Sequence, residues 1–138
     1  MSTLNPYLSF RDNARAAMEF YQSVFGGELT LNTFGDSPMS GDYPDEAEKI
    51  LHGQLVTTSG FTLMGADTPA SMDHKPGNDY SVSLSGDEDA ELRGYWEKLN
   101  DGATVTAPLN AAPWGDTFGM LTDRFGVNWM VNIAGSAG

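Results

Sequence analysis

Hydrophobic residues recur at helical spacing in two stretches of the chain. Between residues 14 and 25 they follow the i, i+3, i+4, i+7 pattern of an amphipathic helix, at Ala14, Ala17, Met18, Tyr21, Val24 and Phe25. Asp12 is placed to cap this helix, and Gly26-Gly27 to end it. The same spacing returns between residues 87 and 100, at Leu92, Tyr95, Trp96 and Leu99. The pattern therefore predicts two helices.

Alternation of apolar and polar residues predicts the strands around these helices. One short alternating segment precedes each helix, at residues 4–10 and 80–85. Three more segments follow each helix: 28–34, 50–58 and 61–66 after the first, and 104–107, 117–122 and 128–133 after the second. Ser59-Gly60 and residues 123–126 are typical of tight turns between strands. The predicted order is βαβββ, present twice.

Matching residues at constant spacing indicate that the chain is a duplication. Tyr21 and Trp96 are 75 positions apart, whereas Met64 and Met130 are 66 apart. Connections of different length, at residues 35–48 and 108–116, account for the change. We expect one domain over residues 1–134, with modules at about 3–67 and 78–134 and a flexible tail at 135–138, because one unit of this size buries too little surface alone.

The charge and the absence of cysteine exclude several classes of function and partner. The 138 residues include 7 Lys and Arg against 19 Asp and Glu, for a net charge of −12, and no cysteine. This charge disfavours nucleic acid and anionic membranes as partners and favours a cationic ligand. Without cysteine, thiolate catalysis and disulfides are excluded. The chain shows no signal-peptide pattern and no long apolar run, so a cytoplasmic location is expected.

Four segments resemble a known family: Glu19-Phe20-Tyr21-Gln22-Ser23-Val24-Phe25-Gly26, residues 121–129 (LTDRFGVNW), residues 5–10 (NPYLSF) and residues 113–119 (PWGDTFG). With the paired βαβββ order, they are similar to the vicinal oxygen chelate superfamily, which includes glyoxalase I, extradiol dioxygenases and bleomycin-resistance proteins. The first-strand and PWGDTFG segments resemble its PhnB-like branch. The resemblance implies an α+β fold of two tandem βαβββ modules that form a curved, mixed, eight-stranded sheet with a cleft. It also implies a homodimer.

The resemblance further implies metal-ligand positions, which superfamily enzymes fill with His, Gln or Glu for a divalent metal. In this sequence they fall near Asn5, Met64, Tyr80 and Met130, and a one-residue change of register substitutes Pro6, Leu63, Asp79 or Ser81. A methionine thioether is a soft ligand, unsuited to hard divalent ions. We therefore predict no metal cofactor, with His52 the ligand if a metal does bind. Met64 and Met130 are interpreted either as an adaptable apolar floor for a ligand or as core methionines.

A few further residues are candidates for a ligand site. His52, on a predicted strand, can donate to a ligand, act as a base or bind a metal; alternatively it is a sheet histidine without a role. Trp114 and Asp116 lie on a glycine-flanked loop that can cover a ligand, or else form a turn with a core tryptophan. Tyr7 is expected to project with Ser9 from the first strand, opposite to Leu8 and Phe10. His74 is expected to be exposed, and Asp123 to shape a turn.

These residues support a protein that binds a small organic molecule without the usual metal site, with no catalytic residue assigned. Its predicted ligand-binding residues are Tyr7, His52, Met64, Trp114, Asp116 and Met130. The alternative is a lyase, isomerase or dioxygenase that holds a divalent metal through His52 and nearby carboxylates. A third hypothesis is a regulatory or assembly module whose cleft is vestigial.

Overall fold

The structure, a computed structural model, describes residues 2–37, 41, 43, 45–77 and 79–135. The chain divides into two compact units, Met1–Lys75 and Pro76–Gly138. Residues 136–138 of the predicted tail lie outside the described residues. That the two units fold as one domain stays a prediction.

The first unit has the predicted βαβββ order. Its elements are β1 (Tyr7–Phe10), α1 (Ala14–Phe25), β2 (Glu28–Thr33), β3 (Ile50–Val56) and β4 (Thr62–Asp67). The sheet order is β1-β4-β3-β2, with β1 parallel to β4 and the other pairs antiparallel. The apolar stripe of α1 is buried, as its periodicity predicts, and packs on the sheet side that carries Phe10, Leu55 and Leu63.

The second unit repeats this arrangement. Its elements are β5 (Val82–Gly86), α2 (Asp89–Leu99), β6 (Thr104–Ala111), β7 (Thr117–Thr122) and β8 (Asn128–Ile133). The sheet order β5-β8-β7-β6 matches that of the first unit strand for strand. Two βαβββ units are thus confirmed, and the eight strands of the described residues are hydrogen-bonded as two four-stranded mixed sheets.

Two turns show the duplication in their hydrogen bonds. Thr57 N donates to Phe61 O at 2.8 Å, and Phe61 N donates back to Thr57 Oγ1 at 2.9 Å. At positions 66 residues later, Asp123 N donates to Val127 O at 2.8 Å, and Val127 N donates to Asp123 Oδ1 at 3.0 Å. Asp123 therefore has the turn-shaping role predicted for it.

Strand β6 is longer than the sequence predicts. The prediction ended the strand at Ala107 and assigned residues 108–116 to a connection, whereas β6 continues through Pro108 to Ala111. Proline lacks the N–H that a central strand needs, but β6 is an edge strand and its pairing with β7 is irregular on both sides of Ala107. The edge position explains why proline is tolerated here.

The start of α1 also differs from the prediction. Asn13 occupies the cap position without a side-chain bond, and Asp12 instead forms an ion pair with Lys49 at 2.7 Å. The N–H of Ala14 is satisfied by Asp67, whose carboxylate is buried at the end of β4. A residue 53 positions away therefore does what the sequence assigned to the adjacent acid.

Candidate functional site

The side of the first sheet opposite α1 brings together several predicted site residues. Because successive side chains of a strand alternate, residues that neighbour buried positions on these strands point away from the helix. We call this surface the N-terminal open face, defined by Tyr7, Ser9, His52, Gln54, Met64 and Ala66. Ser9 and Tyr7 thus lie opposite to Leu8 and Phe10, as predicted.

Tyr7 and His52 are in direct contact on this face. The Tyr7 hydroxyl lies 3.1 Å from His52 Nδ1, and the two rings are stacked with centroids 5.7 Å apart. The residues belong to β1 and β3, on either side of β4, so the contact depends on the register of three strands. Met64 pairs with Tyr7 across β1 and β4 and so lies between the two strands that carry the rings.

The protonation of this pair decides what it can offer a ligand. Burial raises the pKa of the Tyr7 phenol, which therefore stays protonated at neutral pH and can donate to His52 Nδ1. A neutral imidazole that accepts at Nδ1 carries its proton on Nε2, which is then a donor and not a metal ligand. In the opposite arrangement Nδ1 donates to the phenol, and Nε2 has the lone pair that a base or metal ligand needs.

The strand registers place only two of the four implied metal-ligand positions, Met64 and Met130, on strands. Because β1 begins at Tyr7 and β5 at Val82, Asn5 and Tyr80 both precede their strands. The residue paired with Met64 is Tyr7, and in the second unit Ser83 pairs with Met130. A phenol, a hydroxyl and two thioethers do not match the carboxylate and imidazole donors that a divalent metal needs. Within the described residues, no group of three or more His, Asp or Glu could hold a metal ion.

The second sheet has an equivalent surface with a more apolar character. This C-terminal open face is defined by Ser83, Ser85, Phe118, Met120, Met130 and Asn132. Met120 lies directly opposite Met130 on β7 and β8. Sequence reasoning overlooked Met120, although its alternation with Phe118 on a predicted strand was a usable signal. The positions equivalent to Phe118 and Met120 in the first unit are His52 and Gln54, so the duplicated faces differ in polarity.

Trp114 and Asp116 lie in the turn that joins β6 to β7. The Trp114 side chain is 62% exposed, which excludes a core position, and meets Phe118 edge-on at a centroid distance of 5.6 Å. Asp116 Oδ2 accepts from Asn132 Nδ2 at 3.0 Å, and Oδ1 accepts from Gly135 N at 2.8 Å. These bonds hold the pKa of Asp116 below its usual value.

His74 is half-buried, although the sequence placed it in an exposed turn. Its Nε2 lies 3.2 Å from the carbonyl oxygen of Ser9. The carbonyls of Pro6 and Phe10 accept from Met64 and Thr68, so the intervening Ser9 carbonyl points away from β4. His74 therefore caps the outer edge of β1 and is not part of the N-terminal open face.

In the described ranges of the chain, no helix is long and apolar enough to cross a membrane.

Comparison with known proteins agrees with the fold and with its order of elements. The family model of the glyoxalase/bleomycin resistance protein/dioxygenase superfamily matches residues 3–131. Protein YjdN of Escherichia coli is 28% identical over 142 residues, which cover 94% of both chains. Protein PA1353 from Pseudomonas aeruginosa is 38% identical in sequence. Its crystal structure matches this chain with a TM-score of 0.86, over 99% of this chain and all of the other.

The PhnB protein from Bacillus cereus has the same fold, with a TM-score of 0.72 over 96% of this chain and all of that one. At 21% identity this likeness concerns the fold alone. The family match, by contrast, extends over nearly the whole sequence and includes both βαβββ units. The chain therefore belongs to the glyoxalase/bleomycin resistance protein/dioxygenase superfamily, as its sequence motifs predict.

Proposed function

We propose that the chain binds a small organic molecule on the N-terminal open face, without a metal at the positions that superfamily enzymes use. The contact between Tyr7 and His52 is the observation that carries this proposal. It gives a polar pair on the strand surface, next to the flexible thioether of Met64. Binding sites of this kind combine apolar lining with a few fixed polar groups.

The pair selects for a ligand that carries an oxygen acceptor. With the phenol donating to Nδ1, His52 presents Nε2–H as its free donor, and a carbonyl or carboxylate oxygen is the matching group. The stacked rings limit rotation of the imidazole, so the direction of this donor is fixed before the ligand arrives. A fixed donor lowers the entropy cost of binding.

Nitrogen NMR of the histidine side chains tests the tautomer. We expect His52 Nδ1 to show the shift of an unprotonated acceptor and Nε2 that of a protonated nitrogen. Tyr7→Phe removes the hydroxyl and keeps the ring, so it is expected to weaken this preference without unfolding the chain. His74 is the second of the two histidines and gives the internal reference. A protonated Nδ1 in the wild type would contradict the proposed donor.

Metal titration separates the proposal from the metal-dependent alternative. Protein purified without a histidine tag is titrated with Zn²⁺, Mn²⁺, Ni²⁺ and Fe²⁺ by calorimetry, and we expect no stoichiometric binding. His52→Ala and His74→Ala are compared as matched variants. A tight 1:1 site that His52→Ala abolishes and His74→Ala leaves intact would overturn the metal-free proposal and support a lyase, isomerase or dioxygenase.

A further inference from the structure

The turn that joins β6 to β7 holds an exposed tryptophan in a fixed position. Gly115 N donates to Ala112 O at 3.0 Å, and Ala112 N donates to Asp116 O at 2.7 Å, so the turn is closed by two backbone bonds. The ring of Pro113, directly before Trp114, fixes the φ angle of that residue. Gly115, directly after Trp114, has a φ of 101°, which other residues reach only with strain. The backbone that carries Trp114 is therefore ordered before any ligand binds.

The indole itself contacts a second aromatic ring. Phe118 contacts it edge-on from β7, with the ring centroids 5.6 Å apart. Asp116 is fixed by Asn132 on β8 and by the backbone of Gly135. The closed turn and the Phe118 ring thus position an indole that is 62% exposed, although a core would bury such a side chain. A ring that is both ordered and exposed is suited to contact a ligand.

The electrostatics of the turn favour a positive ligand. Hydrogen bonds from Asn132 and Gly135 lower the pKa of Asp116, so its carboxylate is ionised at neutral pH, two residues along the turn from Trp114. The exposed face of an indole attracts a cation through the quadrupole of the ring. The net charge of −12 attracts cations over a longer range.

We propose that Trp114, Phe118 and Asp116 form a binding site for an organic cation, of the quaternary or protonated alkylammonium class. The cation packs on the exposed indole, and the Asp116 carboxylate balances its charge. The site concerns the second unit alone and goes beyond the proposed function on the N-terminal open face. A negative result in the Tyr7–His52 tests therefore does not bear on the cation site. A negative result for the cation site likewise does not bear on the Tyr7–His52 proposal.

Choline and its neutral isostere 3,3-dimethyl-1-butanol provide the test, because they differ chiefly in the positive nitrogen. Binding of each is measured by calorimetry, and the indole N–H signals are followed by NMR. We expect the Trp114 signal to shift with choline, while those of the buried Trp96 and Trp129 stay in place. The neutral isostere is expected to bind at least about fivefold more weakly.

Variants then assign the binding to these side chains. Trp114→Ala is expected to raise the dissociation constant for choline by roughly fivefold to thirtyfold, and Trp114→Phe by less. Asp116→Asn is expected to weaken choline binding and to leave the neutral isostere unchanged. Tyr80→Ala is the matched control, since Tyr80 is an 88% exposed aromatic residue of the same unit, and it should change nothing.

Three results would overturn the inference. The first is equal binding of choline and the neutral isostere, which would make the indole a merely apolar surface. The second is choline binding that survives Trp114→Ala unchanged. The third is no shift of the Trp114 signal at millimolar choline while the wild-type protein is folded.

Discussion

Asp67 is a buried carboxylate whose two oxygens serve two different elements. Oδ1 accepts from Ala14 N at 3.0 Å, at the start of α1, and Oδ2 accepts from Ile50 N at 2.9 Å, at the start of β3. Both donors are buried, so neither can exchange this partner for water. A single side chain at the end of β4 therefore holds together the beginnings of a helix and a strand.

Replacement of Asp67 should be costly. In Asp67→Asn one carboxylate oxygen becomes an amide donor that faces a backbone donor, so we expect a loss of about 1–3 kcal/mol in the free energy of unfolding. Asp12→Asn is the control, because Asp12 is 61% exposed and its ion pair with Lys49 is worth about 0–1 kcal/mol. Urea denaturation of both variants measures the difference. A loss for Asp67→Asn no larger than that for Asp12→Asn would contradict the role given to Asp67.

Tyr7 and His52 show how far single residues can be predicted. Each was a candidate from its residue type and its place on a predicted strand. Their contact was beyond prediction, because they are 45 residues apart and meet only when β4 inserts between β1 and β3 in one register. The same registers place Tyr7 beside Met64 and Ser83 beside Met130, where the sequence suggested Asn5 and Tyr80. The periodicity of a strand does not determine its partner, so the sequence could not supply this.

At the scale of elements, α2 approaches its sheet closely over Gly119. A Cβ built at Gly119 would lie 2.8 Å from the Trp96 ring and 3.0 Å from Leu109 Cα. Trp96 is buried, and the second contact is backbone, so neither neighbour can move freely. The glycine therefore sets the distance between the helix and the sheet of the second unit.

Two glycine-to-alanine changes in this unit should have opposite signs. Gly119→Ala is expected to cost about 1–3 kcal/mol through overpacking against Trp96. Gly94→Ala is expected to stabilise by about 0.5–1 kcal/mol, because Gly94 lies within α2 with open space around its Cβ position. Thermal unfolding compares the two variants. A stable Gly119→Ala protein would mean that the helix shifts over the sheet at little cost.

The elements themselves were largely predictable, and the exceptions have physical causes. Strands β7 and β8 have the predicted bounds, and both helices lie within one or two residues of theirs. The predicted β6 ends before Pro108 because proline is typical of a loop. The observed strand continues through Pro108 because β6 lies at the edge of the sheet. The cap assigned to Asp12 failed because tertiary structure supplies Asp67 instead.

At the scale of the whole chain, the duplication explains both the length and the two open faces. The units share strand order and turn hydrogen bonds, while substitutions such as Gln54 against Met120 have made the faces chemically unlike. One face presents the Tyr7–His52 pair, and the other presents two methionines beside the Trp114 turn. The two units therefore present different chemical groups on surfaces of the same architecture. The homodimer implied by the family resemblance stays a prediction.

The acidic charge of the whole chain should make its stability depend on salt. At pH 7 the net charge is −12, so long-range repulsion opposes the folded state. Sodium chloride screens this repulsion more than it weakens ion pairs in contact, such as Arg93 with Asp89 at 2.9 Å, because screening grows with distance. We expect the melting temperature at pH 7 to rise by about 2–5 °C between 20 and 500 mM salt, equivalent to roughly 1 kcal/mol. Near the isoelectric point of 4.2 the net repulsion vanishes, so the same salt should then have little or a destabilising effect. A rise of equal size at both pH values would mean that the salt acts through apolar surface and not through charge.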